Sequence, residues 1–127
     1  MAKILVIEDE LNIARAVKDK LSHEGHHVEL AYSGQQGLGF VKNQLVDLII
    51  LDLLMPEMDG FEVIERLKAD PTTKSIPIIL LSVLSEDPED ERFKRIHPDG
   101  YLTKPYKGAD LIKIVNKVLK NLKMKDD

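Results

Sequence analysis

Residues 46–60 read VDLIILDLLMPEMDG, from Val46 to Gly60. Val46–Leu51 is an apolar run rich in branched residues, of the length of one strand buried on both faces. It ends on an acid, Asp52. Pro56 and Gly60 then mark a loop, and Asp59 is placed to cap a helix after it. A buried strand that ends on a carboxylate and turns through a loop into a helix is one unit of an alternating α/β chain.

The same alternation extends in both directions. Lys3–Ile7 (KILVI) predicts a first buried strand. Leu11–Glu24 predicts a helix with Leu11, Ala14, Val17 and Leu21 on one side, ended by Gly25. His27–Ala31 is a weaker second strand. Ser33 can cap a helix running to Asn43, which Gly34, Gly37 and Gly39 weaken by ~1 kcal/mol each relative to alanine. Beyond Gly60, Phe61–Ala69 predicts a helix that Asp70-Pro71 stops. Ile76–Leu81 is a fourth strand with Pro77 near its start. Glu86–Ile96 reads as an acid-rich helix, with Pro88 suited to its first turn. Pro98-Asp99-Gly100 turns the chain into a short fifth strand, Tyr101–Thr103. Lys107–Lys123 is a last helix with Leu111, Val115, Val118 and Leu122 as its main stripe.

Five strands alternating with five helices imply a parallel sheet covered on both faces, with right-handed crossovers. The 127 residues suit one domain with a substantial core. The absence of cysteine excludes disulfides, thiolate metal sites and a catalytic thiol, and suits a reducing compartment. No apolar run approaches the ~20 residues of a membrane-spanning helix, and Glu8-Asp9-Glu10 follows the first strand where a signal peptide would not place acids. The expectation is a cytoplasmic protein. The formal net charge is −4, unevenly spread: residues 104–127 hold seven lysines against three aspartates. This basic end lacks arginine and reads as the solvated face of a helix, not as a nucleic-acid surface.

In such sheets chemistry gathers at the carboxyl ends of the strands. Glu8 and Asp9 follow the first strand, Asp52 ends the third, Ser82 ends the fourth and Lys104 follows the fifth. Each alone is weak evidence, because an acid past a strand is more often solvated or a cap. Together, three carboxylates and one ammonium carry about −2 and repel unless a cation relieves them. Oxygen ligands without His or Cys favour a hard cation such as Mg²⁺. A carboxylate beside Mg²⁺, a lysine and a hydroxyl has what phosphoryl transfer needs.

These residues carry a resemblance. KILVIEDE, LIILDLLMPEMDG, IILLS and YLTKPY, in this order and spacing, resemble the receiver domain of bacterial two-component response regulators, the CheY-like fold. The resemblance spans nearly the whole chain and implies a single receiver domain over 1–127. It implies a doubly wound, flavodoxin-like sheet of order 2-1-3-4-5. It implies that Asp52 is the phosphoacceptor, that Asp9 and Asp52 hold Mg²⁺ with the Leu54 carbonyl, and that Glu8 acts through water. It further implies that Lys104 binds the phosphoryl group before a cis bond to Pro105, that Ser82 bonds the phosphoryl oxygen, and that Tyr101 swings inward as the switch. The implied partners are a sensor histidine kinase or histidine phosphotransfer protein and a downstream output protein or domain, with no nucleic acid and no membrane bound directly. By this reading the chain is not an enzyme in its own right: it catalyses only its own phosphorylation and dephosphorylation.

Some residues depart from the family's usual pattern. Glu8 stands where an aspartate is frequent, Ser82 replaces threonine, and Val83 replaces a small residue. Leu54 and Leu84 occupy the two positions that tune dephosphorylation, and neither can orient a water, which implies a long-lived acyl phosphate. Competing readings are an aspartate-nucleophile phosphatase, a flavodoxin-like nucleotide or flavin binder, and a degenerate receiver that only binds partners. The phosphatase wants an acid where Leu54 stands. The nucleotide binder lacks G-x-G-x-x-G. The degenerate receiver conflicts with an intact set of side chains. Ile112, Ile114 and Leu119 lie outside the main stripe of the last helix. They leave room for a homodimer or partner on the face made by helix four, strand five and helix five, or reflect deeper burial. The ending at Asp127 fits a stand-alone regulator or the receiver part of a longer chain.

Overall fold

The computed structural model describes residues 2–84, 87 and 89–126. The elements are β1 (Lys3–Ile7), α1 (Leu11–His23), β2 (His27–Ala31), α2 (Gly34–Asn43), β3 (Leu48–Leu51), α3 (Gly60–Ala69), β4 (Ile78–Ser82), α4 (Glu91–Arg95), β5 (Gly100–Thr103) and α5 (Gly108–Asp126). The five strands form one parallel sheet in the order β2-β1-β3-β4-β5, the doubly wound arrangement expected.

The period of two along the central strands divides the core. Ile4, Val6, Leu48, Ile50, Ile79 and Leu81 face a cluster built with α1 and α5. Their neighbours Leu5, Ile7, Ile49, Leu51, Ile78 and Leu80 face a second cluster with residues of α2, α3 and α4. Burial on both faces is why β1, β3 and β4 are apolar at nearly every position. Each such side chain contributes about 1.5–3 kcal/mol.

The helix ends follow local chemistry. The Ser33 hydroxyl accepts from Gln36 N–H and Asp59 Oδ1 from Glu62 N–H, both at 3.0 Å. Gly25, at φ 92°, ends α1, with His26 N–H turned back to the Leu21 carbonyl.

Two expectations need correction. Leu11 is 43% exposed, so the buried face of α1 is Ala14, Val17 and Leu21, with Ile13 half-buried beside them. The fourth helix begins at Glu91, not Glu86. Glu86 and Pro88 lie outside the described residues, but Asp87 and Asp90 show the cause. Asp87 Oδ1 accepts from Glu89 N–H and its carbonyl from Asp90 N–H, closing a turn. Asp90 then caps the helix, accepting from Arg92 N–H at 2.8 Å. Short acidic side chains here bond backbone outside a helix instead of lying within one. On α5, Ile112, Ile114 and Leu119 are all half-buried, and Ile114 and Leu119 pack against the core.

Candidate functional site

Strand order reverses between β1 and β3, and the candidate residues lie just beyond the carboxyl ends there. Backbone bonds carry the ladder past the strands and fix them. Glu8 N–H donates to Ala31 O at 3.0 Å, Asp52 N–H to Ile7 O at 3.1 Å, and Lys104 N–H to Ser82 O at 2.7 Å. Gly60 is required beside them: a Cβ there would lie 2.6 Å from the Asp52 carbonyl oxygen and 2.7 Å from Leu53 Cα. The loop between β3 and α3 reverses through Glu57 at φ 68°, a conformation that non-glycine residues seldom adopt.

The Lys104 ammonium joins two buried carboxylates. It donates to Glu8 Oε1 at 2.5 Å and to Asp52 Oδ2 at 3.3 Å. Asp52 Oδ1 accepts from Leu54 N–H at 3.1 Å. Glu8 Oε2 accepts from Glu10 N–H at 3.3 Å. The Lys104–Pro105 bond is cis. Burial, with the Asp52 charge adding to it, raises the Glu8 carboxyl from its ordinary range to about 7 against the opposing pull of Lys104. Burial also works against the Lys104 charge, but Glu8 and Asp52 outweigh it and hold Lys104 above its usual value.

Glu8, Asp9 and Asp52 each offer a carboxylate oxygen, and these oxygens lie within 4.8 Å of one another. That spacing suits ligands around one cation bound at ~2 Å. The all-oxygen donor set and its uncompensated negative charge fit a small hard dication. Asp9 is open to solvent on one side. A cleft of about 640 Å³ reaches Asp52, lined among others by Asn12, Leu54, Val83, Lys104 and Tyr106. Asn12 lies outside the motifs that mark the other site residues, and Tyr106, the last residue of YLTKPY, carries none of the roles those motifs imply. Asn12 stands three residues beyond Asp9 and Tyr106 two beyond Lys104, so spacing from the acidic pair and the lysine was the available signal.

Ser82 and Tyr101 sit outside this charged group. Ser82 is fully buried at the end of β4, and its Oγ accepts from Leu84 N–H at 3.4 Å. The Tyr101 hydroxyl donates to the Leu84 carbonyl oxygen. One residue's backbone thus links the hydroxyl at the rim to the aromatic ring on β5, a connection that side-chain identities alone do not reveal. The Tyr101 ring lies 5.9 Å from Phe93 of α4, which meets Phe61 of α3 edge-on at 5.2 Å.

A parallel sheet of this order, with three acids and a lysine gathered at its switch point, defines a CheY-like signalling domain. A model of the response regulator receiver domain matches residues 4–116, and the chain belongs to that family. It is 32% identical over 126 residues to the response regulator ArlR of Staphylococcus aureus, a match covering 99% of this chain and 56% of that protein. The chain thus spans little more than half the length of that relative. A signal receiver domain of a histidine kinase from Syntrophus aciditrophicus superimposes with a TM-score of 0.88 at 37% identity, over 97% of this chain and 93% of that one. The receiver domain of sensor histidine kinase PA1611 from Pseudomonas aeruginosa, whose structure holds a magnesium ion in its active-site cleft, gives a TM-score of 0.84 at 26% identity, over 94% and 98% of the two chains. Among the described residues no helix is long and apolar enough to cross a membrane.

Proposed function

We propose that residues 1–127 act as one cytoplasmic receiver domain in which Asp52 accepts a phosphoryl group. The donor is a phosphohistidine on a sensor histidine kinase or histidine phosphotransfer protein. The observation that carries this reading is the placement of Asp52: buried at the end of β3, bonded to Lys104, within reach of two further carboxylates, and facing an open cleft.

A carboxylate oxygen of Asp52 attacks phosphorus while the bond from phosphorus to the donor nitrogen breaks, and the released electron pair stays on the imidazole. Glu8, Asp9, Asp52 and the Leu54 carbonyl would hold Mg²⁺, Glu8 through water. When bound, Mg²⁺ supplies positive charge beside the phosphoryl oxygens. Lys104 leaves its two carboxylates in part and pairs with the incoming group. Ser82 gives up its long bond from Leu84 N–H and donates to a phosphoryl oxygen. That move loosens the Leu84 peptide to which Tyr101 is bonded, and the change reaches the face of α4, β5 and α5. An output protein or domain reads it there. The domain turns over no separate substrate.

The test is incubation with Mg²⁺ and acetyl phosphate, followed by mass mapping of a hydroxylamine-sensitive adduct. Modification confined to Asp52 and absent from Asp52→Asn is expected. Sustained turnover of an added phosphomonoester would indicate a hydrolase instead, and no adduct with either a small donor or a phosphohistidine protein would indicate a binding module.

A further inference from the structure

Three glycines lie in α2, and packing accounts for two. A Cβ on Gly34 would come within 2.6 Å of Val63 Cγ2, and one on Gly37 within 2.4 Å of Ile7 Cδ1. Bare backbone at these positions lets the first half of α2 sit close against α3 and β1. Gly39 is different: a Cβ there would meet nothing within 4 Å. Glycine inside a helix costs ~1 kcal/mol relative to alanine. Alanine would fit at position 39 and would make a firmer helix, so the fold gives no reason for the glycine.

Gly39 lines a groove of about 460 Å³ between α2 and α3. Leu38, Val41, Met58 and Leu67 give it an apolar lining. Lys42 from α2 and Arg66 from α3 stand on opposite walls. Neither cation has a hydrogen-bond or ion-pair partner among the described residues. Asp70 is the acid in the lining, and its Oδ1 is taken by the Thr72 N–H and hydroxyl, both at 2.8 Å. The groove therefore offers an apolar slot and two positive charges on a chain of net charge −4; Lys42 feels the charge of Asp70 without bonding it, and Arg66 has no acid bonded to it among the described residues. It shares no lining residue with the cleft at Asp52.

We infer that this groove docks a short acidic segment of a partner protein. The segment places an apolar side chain between α2 and α3 and sets carboxylates on Lys42 and Arg66. The volume suits the side chains of a short segment and is too small for the face of a folded domain. Charge complementarity selects an acidic occupant. The bare backbone at Gly39 lets the segment's main chain approach the helix. The site is separate from the phosphorylation chemistry and does not depend on it.

The test pans a random-peptide display library against the full chain, with Gly39→Phe as the counter-target. Gly39→Phe fills open space in a helix, so it keeps the fold, which circular dichroism checks. The expected clones bind wild type and Asp52→Asn alike, fail on Gly39→Phe, and carry Asp or Glu around Leu, Ile or Phe. Arg66→Glu weakens them by about tenfold or more, as loss of a charged hydrogen bond requires. Bound peptide shifts the amide signals of Leu38 and Met58. The inference is overturned if no clone distinguishes Gly39→Phe from wild type, if the distinguishing clones are neutral or basic, or if Arg66→Glu leaves them unchanged.

Discussion

The pocket at the ends of β1 and β3 and the shoulder formed by α4 and β5 are built in opposite ways. In the pocket Glu8, Asp52 and Ser82 are buried, and Glu8, Asp52 and Lys104 are pinned through backbone N–H bonds that extend the sheet. At the shoulder α4 has five residues and buries none of them, and β5 is at most half-buried. The β4–β5 ladder holds β5, but α4 is tied to the shoulder by replaceable contacts, among them the Asp90 cap and the rings of Phe93, Phe61 and Tyr101, and Tyr101 is itself bonded to Leu84. Chemistry that needs fixed distances sits on the rigid part. The surface proposed to change sits where small free energies decide its state.

Substitutions should separate the two regions by size of effect. Lys104→Met leaves Glu8 and Asp52 buried without their shared cation. The loss grows as pH rises above about 7, where Glu8 ionises beside Lys104 but keeps its proton longer without it, and reaches on the order of 3 kcal/mol. Below that pH Glu8 carries its own proton and the loss shrinks, as denaturant melts across pH would show. A uniform loss at all pH values would mean that the pocket charges are not coupled as described.

On the proposed reading the same carboxyl governs both metal binding and stability. Mg²⁺ must displace the Glu8 proton below pH about 7, so its affinity falls by about tenfold per pH unit there, measurable by calorimetry. Glu8 holds a proton more tightly in the folded chain than in the unfolded one. Its contribution to stability therefore declines as pH rises from the ordinary carboxylate range to about 7, and added Mg²⁺ offsets that decline. Mg²⁺ affinity that is flat from pH about 5 to about 7 would break the account of the pocket.

Lifetime of the acyl phosphate comes next. Leu54 and Val83 line the cleft and Leu84 follows them on the β4–α4 connection, and none can orient a water. Leu54→Asn and Leu84→Glu should each speed decay several-fold in a phosphate-release time course. Unchanged or slower decay in both variants removes the idea. The smallest effects belong to the shoulder. Asp90→Ala and Tyr101→Phe should each lower stability slightly, as denaturant melts would show, and leave the yield of modified Asp52 unchanged.

The same contrast explains what could be read in the amino acids. Runs such as KILVI and LIIL are apolar because both faces of each strand are covered, so the sheet announced itself. Ser33 and Asp59 stood directly before their helices and cap them. The stretch from Asp87 to Glu91 misled because four acids suit a helix start equally well, and only hydrogen bonding shows that Asp87 closes a turn and Asp90 is the cap. At the pocket the residues were legible, but the pairing was not. Lys104 lies closer to Glu8 than to Asp52, a matter of side-chain placement that spacing in sequence cannot give. The link through the Leu84 backbone was invisible for the same reason.

We propose that phosphorylation in the pocket is read out on the shoulder through Ser82 and Leu84. The direct measurement is an amide NMR spectrum of the domain before and after phosphorylation with Mg²⁺, in wild type and in Ser82→Ala at matched yields of modified Asp52. Shifts across Leu84, α4 and Tyr101 are expected in wild type and should largely vanish in Ser82→Ala. Equal shifts there in both proteins, or wild-type shifts confined to the residues around Asp52, would contradict that readout.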